Sequence, residues 1–329
     1  MAKKITRISI VIALGFLLTF VSSLTAANNN DIYDDMTAEN YIGSTTVTWG
    51  DSLLDWGAAV GIDSDENVVI VGYSETEVGY NLTVVKYDSY FNYLWNTTWE
   101  IDKLDKPQDL VIDGSDNIII TGSIWQGPTK NVFILKYDAD GILLWNETWV
   151  TNTFDEPYGI DVNSGDEIYI TGTTTSTTGT VFILKYDADG ILLWNSTYGD
   201  YDQAVAYDIK VNNTDIYLTG YIEYPYMKQL FLGKFDSVGT NVWAETLGGP
   251  GTEDIGKGLI VTGEDVYVVG QTESLANYLT DTIILKYNST GHIQWYRLRD
   301  EEEGNSIALR PDGNILIAGD IGYSDGLFA

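Results

Sequence analysis

Apolar positions along this chain follow two alternating phrases. The first ends an apolar run in Lys-Tyr-Asp or a close relative, turns, and reaches a Trp. It reads KYDSYFNYLW (86–95), KYDADGILLW (136–145), KYDADGILLW (185–194), KFDSVGTNVW (234–243) and KYNSTGHIQW (286–295). The Trp residues lie 50, 49, 49 and 52 positions apart. The second phrase is a β-branched stretch that stops at glycine: VVIVG at Gly72, IIITG at Gly122, IYITG at Gly172, IYLTG at Gly220, VYVVG at Gly270 and ILIAG at Gly319. A fixed period near fifty residues predicts stacked supersecondary units rather than one irregular core.

Residues 149–198 show what one unit contains. WVTNTFDEP is polar and turn-rich, YGIDV alternates, NSGD is a turn, and EIYITGT is β-branched. TSTTG is a loop, VFILKYD is apolar, ADG is a turn, and ILLWNSTY closes the unit. Four short strands with tight turns predict an antiparallel meander, and no segment carries a competing helical period. The third strand is almost continuously apolar, which predicts burial on both faces. Four-stranded sheets achieve that by stacking radially, so the expected fold is an all-β β-propeller with the recurring Trp wedged between blades.

Six copies of the Gly-ending phrase predict about six blades over residues 45–329. The sixth is incomplete: GNSIALRPDGNILIAGDIGYSDGLFA supplies two strands and begins a third. STTVTW (44–49) matches the end of a fourth strand and is expected to complete that blade; the alternative is a truncated product. LGGPGTEDIGKGLIVTGEDVYVVGQTES (247–274), with its Gly-Gly, acidic turn, alternating strand and Val-x-Gly-x-Thr ending, resembles the SBBP-type β-propeller repeat of secreted prokaryotic proteins. The resemblance implies a propeller outside the cytoplasm and implies no activity, because that family is defined by its scaffold.

Residues 1–27 read as an export signal: MAKKITR is basic, Ile8 to Leu24 is mostly apolar, and small residues follow. An uncleaved anchor is the alternative, and in either case the body is expected outside the cytoplasmic membrane, secreted or at the cell surface. Residues 28–44 are acidic and aperiodic, a flexible tether. Glycosylation sequons start at Asn81, Asn96, Asn146, Asn195, Asn212 and Asn288, and three of them follow the Trp directly in WNTT, WNET and WNST.

Composition narrows the chemistry. Net charge is −31, and the three basic residues of the leader leave 14 basic against 48 acidic residues in the rest. Such a field repels phosphate backbones and anionic lipid, which argues against nucleic acid and leaves the leader as the one membrane contact. There is no Cys, so disulfides, thiolate metal sites and Cys nucleophiles are excluded. The acidic turns DSDEN (63–67), DGSDN (113–117), NSGDE (163–167) and DADG (138–141, 187–190) offer oxygen ligands for Ca²⁺, but tight-turn formation accounts for them more simply. The lone His292 stands where two other repeats have Ile142 and Ile191, and no Gly-x-Ser-x-Gly signature or phosphate-cradling loop is present. No catalytic set and no cofactor site is therefore expected, Ca²⁺ being the one open case.

The segments that do not repeat are the links between blades and the links between strands two and three, which emerge at one end of a propeller. They carry Trp125, Tyr224, Tyr226 and Tyr278 beside Asp155, Glu156, Asp200, Asp202, Glu253, Asp254, Glu301 and Glu302. Aromatics among carboxylates can stack sugars or grip a basic partner. The expected function is a monomeric, non-enzymatic, exported binding module for an extracellular protein or glycan. A structural envelope or spacer protein is the first alternative. A carboxylate-dependent polysaccharide hydrolase or lyase is the second, and carboxylate distances decide it.

Overall fold

Each repeat folds into one antiparallel meander. The computed structural model describes residues 10–12, 18–20, 55–75, 80–101, 106–175, 179–199, 203–225, 227–249, 251–273, 280–299, 302–310 and 313–321. Unit 1 is Asp55–Ile62, Val68–Glu75, Tyr80–Tyr87 and Tyr93–Ile101. Unit 2 is Lys106–Ile112, Ile118–Gln126, Thr129–Tyr137 and Leu143–Trp149. Unit 3 is Phe154–Val162, Ile168–Thr175, Gly179–Tyr186 and Leu192–Tyr198. Unit 4 is Gln203–Asn212, Asp215–Tyr224, Met227–Phe235 and Asn241–Leu247. Unit 5 is Ile255–Thr262, Asp265–Glu273, Thr280–Asn288 and Ile293–Arg299. Unit 6 contributes Glu302–Leu309 and Ile315–Ile321. Ahead of them Ile10–Ile12 pairs with Leu18–Phe20. The rest of the expected leader, the tether, residues 44–49 and residues 322–329 lie outside the described residues.

Strands pair in sequence order within each unit. The first strands of successive units lie side by side, while the fourth strands are the most exposed, so the sheets fan out from a common axis in a propeller-like arrangement. The core is a series of layers between neighbouring units. Between units 1 and 2 it joins Val71 and Leu82 to Leu110, Phe133 and Leu135; between units 2 and 3 it joins Val132 and Ile134 to Ile160, Ile170 and Phe182. Alternate residues of one third strand thus serve two layers, which is why that strand is apolar throughout.

The Lys-Tyr-Asp-to-Trp phrase clamps one unit to the next. Lys136 Nζ reaches Asp113 within its own unit at 2.8 Å and donates to Ala188 O of unit 3 at 3.2 Å. Trp145 Nε1 donates to the same Ala188 carbonyl at 3.2 Å. Lys86 and Trp95 of unit 1 repeat this on Ala139 O of unit 2, at 2.9 and 3.3 Å. The Trp rings lie against the turn glycines of the following unit: a Cβ on Gly141 would stand 2.8 Å from Trp95, and one on Gly239 2.7 Å from Trp194. Those glycines sit at positive φ, so the turn needs them twice over. In unit 1 the equivalent residue is Phe91, at φ 65°, packed on Val68, Val85 and Tyr87. The tryptophans are half-buried wedges, and in units 1–3 an aromatic four residues further on seals the layer: Trp99 meets Phe133 at 5.3 Å, Trp149 meets Phe182 at 5.1 Å and Tyr198 meets Phe231 at 5.6 Å between centroids.

Candidate functional site

The clamps occupy the end of the fan where strand one turns into strand two and strand three into strand four, and the irregularities of the first strands lie toward the other end. Every first strand carries a register shift against its second strand, between Gly57/Ala59, Pro107/Asp109, Pro157/Gly159, Ala206/Asp208, Gly256/Gly258 and Gly304/Ser306. One extra residue per unit results: Ala58, Gln108, Tyr158, Tyr207, Lys257 and Asn305. A bulge re-aims the side chain it carries. Neighbouring bulges touch: the Tyr158 and Tyr207 rings are 5.0 Å apart, and Lys257 Nζ donates to Asn305 Oδ1 at 2.7 Å.

The glycine of the second phrase makes this possible. A Cβ on Gly72, Gly172, Gly220 or Gly270 would lie 2.2, 2.0, 1.8 or 1.9 Å from the carbonyl oxygen of Trp56, Glu156, Val205 or Ile255. The backbone that leads into each bulge therefore needs a residue without a side chain opposite it.

Aromatic rings gather around the bulges. Tyr207 lies 6.0 Å from Tyr221, and Lys228 Nζ sits 5.3 Å above the Tyr221 ring while pairing with Glu253 at 3.2 Å. Burial, then the neighbouring Glu156 carboxylate, holds the Tyr158 phenol above its ordinary value. In unit 1, Trp56 stacks on Tyr73 at 4.9 Å and Lys106 lies 5.9 Å from the Tyr73 ring.

Below the bulges, the axial strands are bridged by carboxylates. Asp109 accepts from Ile160 N at 3.1 Å, Asp161 from Val211 N at 2.7 Å and Asp208 from Leu259 N at 2.8 Å, each in the next unit. Lys210 Nζ, 3.2 Å from Asp208, is the cation among them. Burial pushes the Asp109 carboxyl up to about 7, with Lys210 opposing and Asp208 adding to it, and burial also raises Asp161. A carboxyl whose pKa is raised on folding holds its proton longer in the folded state, so its contribution falls as pH rises from about 4 to about 7. Melts of wild type and Asp109→Asn across that window are expected to diverge: the wild type loses several degrees relative to the variant, and parallel curves would contradict the assignment.

Of the residues expected on the variable end, the structure places two in the interior. Asp155 is fully buried and accepts from the Thr151 hydroxyl and, at 2.9 Å, from the Thr153 hydroxyl. Asp254 is buried and accepts from Thr252 Oγ1 at 2.6 Å and from Thr272 Oγ1. Both tie the link between units to the sheet. Glu156 is paired across units with Lys130 at 2.6 Å, and Glu253 is exposed. Trp125 is half-buried, edge-on to Phe154 at 5.6 Å, and Tyr224 packs half-buried on the layer between units 3 and 4. Asp200, Asp202, Tyr226, Tyr278 and Glu301 lie outside the described residues. The links between strands two and three expected to carry Trp125 and Tyr224 are shorter, since Ile118–Gln126 pairs with Thr129–Tyr137, and Asp215–Tyr224 with Met227–Phe235, and both residues lie in strand.

The acidic turns bind themselves. Asp63 Oδ1 accepts from Asp65 N at 3.0 Å and Asn67 N at 2.8 Å, and Asp113 and Asn163 repeat the pattern. Among the described residues, no three His, Asp or Glu side chains are placed to share a metal ion. His292 is exposed, 3.0 Å from Thr290 Oγ1. Of the sequon asparagines, Asn96, Asn146 and Asn195 are exposed, whereas Asn81, Asn212 and Asn288 are half-buried.

No protein-family model and no curated protein matches this chain. Among solved structures, a Bacteroides uniformis protein with a provisional assignment as a 6-phosphogluconolactonase aligns at 11% identity and TM-score 0.52, over 79% of this chain and 76% of its own. A neuraminidase-like protein of A/little yellow-shouldered bat/Guatemala aligns at 10% identity and TM-score 0.50, over 78% and 85%. At such identities the likeness is one of fold, all-β and propeller-like, and says nothing of activity.

Proposed function

We propose that the chain is an exported six-bladed β-propeller that acts as a non-enzymatic binding module, with its ligand seat at the axial mouth. The observation that carries this reading is the ring of bulges. A scaffold that otherwise repeats carries Ala58, Gln108, Tyr158, Tyr207, Lys257 and Asn305 at this one position, and varied chemistry on a repeating frame is how a rigid scaffold supports recognition. The half-buried Tyr158 and Tyr207 rings, backed by the buried Tyr221 and flanked by Lys228 and Glu253, suit a glycan or an extracellular protein segment, stacking on the two outer rings while polar groups set orientation. Thr45 stands in STTVTW where other units have the clamp Trp, and Phe91 stands where that Trp would need glycine. This exchange of large and small supports residues 44–49 as the outer strand of the sixth blade. The resemblance of residues 247–274 to SBBP-type repeats supports the extracellular placement.

The test is retention of extracellular polysaccharides and envelope proteins by the immobilised protein, beside a folded Tyr158→Ser/Tyr207→Ser variant. A species held by the first and at least tenfold less by the second supports the axial seat. Equal retention sinks it, and no saturable ligand at all favours the spacer role.

A further inference from the structure

The outer rim repeats as regularly as the core. Immediately before each clamp Trp the chain reads NYL (92–94), ILL (142–144) and ILL (191–193) in units 1–3, but TNV (240–242) and HIQ (292–294) in units 4 and 5. These positions face water: Leu94, Leu144 and Leu193 are 46, 50 and 47% exposed. At these three positions units 1–3 expose two or three apolar residues each, whereas units 4 and 5 expose one each, Val242 and Ile293, and unit 5 adds Tyr296 and Leu298 further along the strand. The residue after the Trp divides the units the same way. It is the sequon asparagine in units 1–3, and Ala244 or Tyr296 in units 4 and 5.

We propose that N-linked glycans on Asn96, Asn146 and Asn195 form one stripe that covers the apolar rim of units 1–3. Of the six sequon asparagines, these three are the exposed ones. Each lies two residues beyond an exposed leucine, with the half-buried Trp between them turned toward the next unit. Units 2 and 3 are near-copies, so unit 1 supplies the independent instance, and there the contact is direct: Asn96 Nδ2 donates to Tyr93 Oη at 2.9 Å. That amide keeps a second hydrogen for exchange. The outermost strand also has an unpaired edge, which a bulky polar group keeps from pairing with another chain. Half-buried Asn212 contrasts with this: its Nδ2 is held by Gly263 O of the next unit at 3.1 Å.

The step is a transfer from a lipid-phosphate-linked oligosaccharide. The asparagine Nδ2 bonds to the sugar's anomeric carbon, the bond from that carbon to the phosphate oxygen breaks, Nδ2 loses one proton, and the lipid phosphate leaves. Thr98, Thr148 and Thr197 complete the three sequons. The proposal rests on the export reading, because the donor is met outside the cytoplasm.

The test uses the full chain purified from cells that make it. Glycopeptide mass spectrometry is expected to find Asn96, Asn146 and Asn195 modified. A triple Asn→Gln variant is expected to melt within a few degrees of wild type, bind an apolar dye several-fold more strongly and self-associate. Adding Leu94→Ser, Leu144→Ser and Leu193→Ser should abolish both gains. Exported protein bare at these three positions would overturn the stripe alone. Protein retained in the cytoplasm with its leader intact would overturn the export reading and the stripe with it. Modified protein whose triple variant stays dye-silent and monomeric would show that the sugars cover nothing apolar.

Discussion

Replacing Lys136 with Met lowers folding stability by about 3–5 kcal/mol, the range for breaking a buried ion pair by removing one partner. The Lys136 side chain is 5% exposed and that of Asp113 1%, so the variant strands a carboxylate where water does not reach. It also removes the bond from Nζ to Ala188 O, one of two polar ties that the clamp makes from unit 2 to unit 3. Adding Asp113→Asn removes the stranded charge while its side-chain oxygen still accepts from Ser115 N and Asn117 N, so the double variant is expected to recover more than half of the loss. Lys228→Met breaks an exposed pair with Glu253 and is expected to change stability by less than about 1 kcal/mol. Denaturant melts of the four proteins decide the matter. If Lys136→Met costs no more than Lys228→Met, the clamp is decorative. Acid supplies a second readout. Burial alone would raise the Asp113 carboxyl, but the bonds from Lys136 and Asn117 outweigh it and hold it below the ordinary value. A carboxyl whose pKa is depressed on folding contributes stability above its unfolded value and loses it as pH falls through the folded one, so without Lys136 that loss begins at higher pH.

The clamp was legible in part. Its spacing and its Trp stand in the sequence five times and its turn glycine four times, and the two-sided burial of the third strand follows from an apolar run with no polar interruption. What composition hides is partnership. The Lys appears as one more charge in an acidic chain, yet it is nearly as buried as the core around it. Asp155 and Asp254 read as exposed acids in polar links, although the hydroxyls that bury them were there in Thr151, Thr153 and Thr252, two or four residues upstream. The strands around Trp125 and Tyr224 run further than expected because their β-forming residues extend the ladder, in unit 2 up to a two-residue turn with Gly127 at φ 67°.

The axial bulges were the larger omission. One extra residue in a strand leaves composition and period almost unchanged, so alternation reads straight through it. Tyr158 and Tyr207 then look like ordinary strand residues, and Asp109, Asp161 and Asp208 like solvent-facing ones. The signal that could have found them is the glycine ending the second phrase. Glycine inside a strand that is otherwise β-branched marks a close approach of another backbone, and six copies at one repeat position mark a device rather than an accident.

That glycine gives the second large effect. Gly220→Ala places a Cβ 1.8 Å from Val205 O and 2.8 Å from Ala206 Cα, both backbone atoms that no rotamer change can move. The second strand has little freedom to retreat, because it is paired on both sides and Thr219 Oγ1 donates to Phe231 O at 2.9 Å. The first strand must shift instead, which undoes the register step between Ala206 and Asp208 and carries Tyr207 away from Tyr158. The expected loss is about 3 kcal/mol or more, at the upper end for overpacking, since the obstacle is main chain. Gly263→Ala is the matched comparison. Gly263 sits at φ +60° with nothing within 4 Å of a new Cβ, so only the left-handed backbone cost of about 1–2 kcal/mol applies. If the two variants melt together, the glycine opposite the bulge is there for chain conformation and not for close approach. If Gly220→Ala falls well below Gly263→Ala and ligand retention at the mouth falls with it, scaffold and seat are one construction, and the phrase that repeats six times along the chain is what aims the residues that do not repeat.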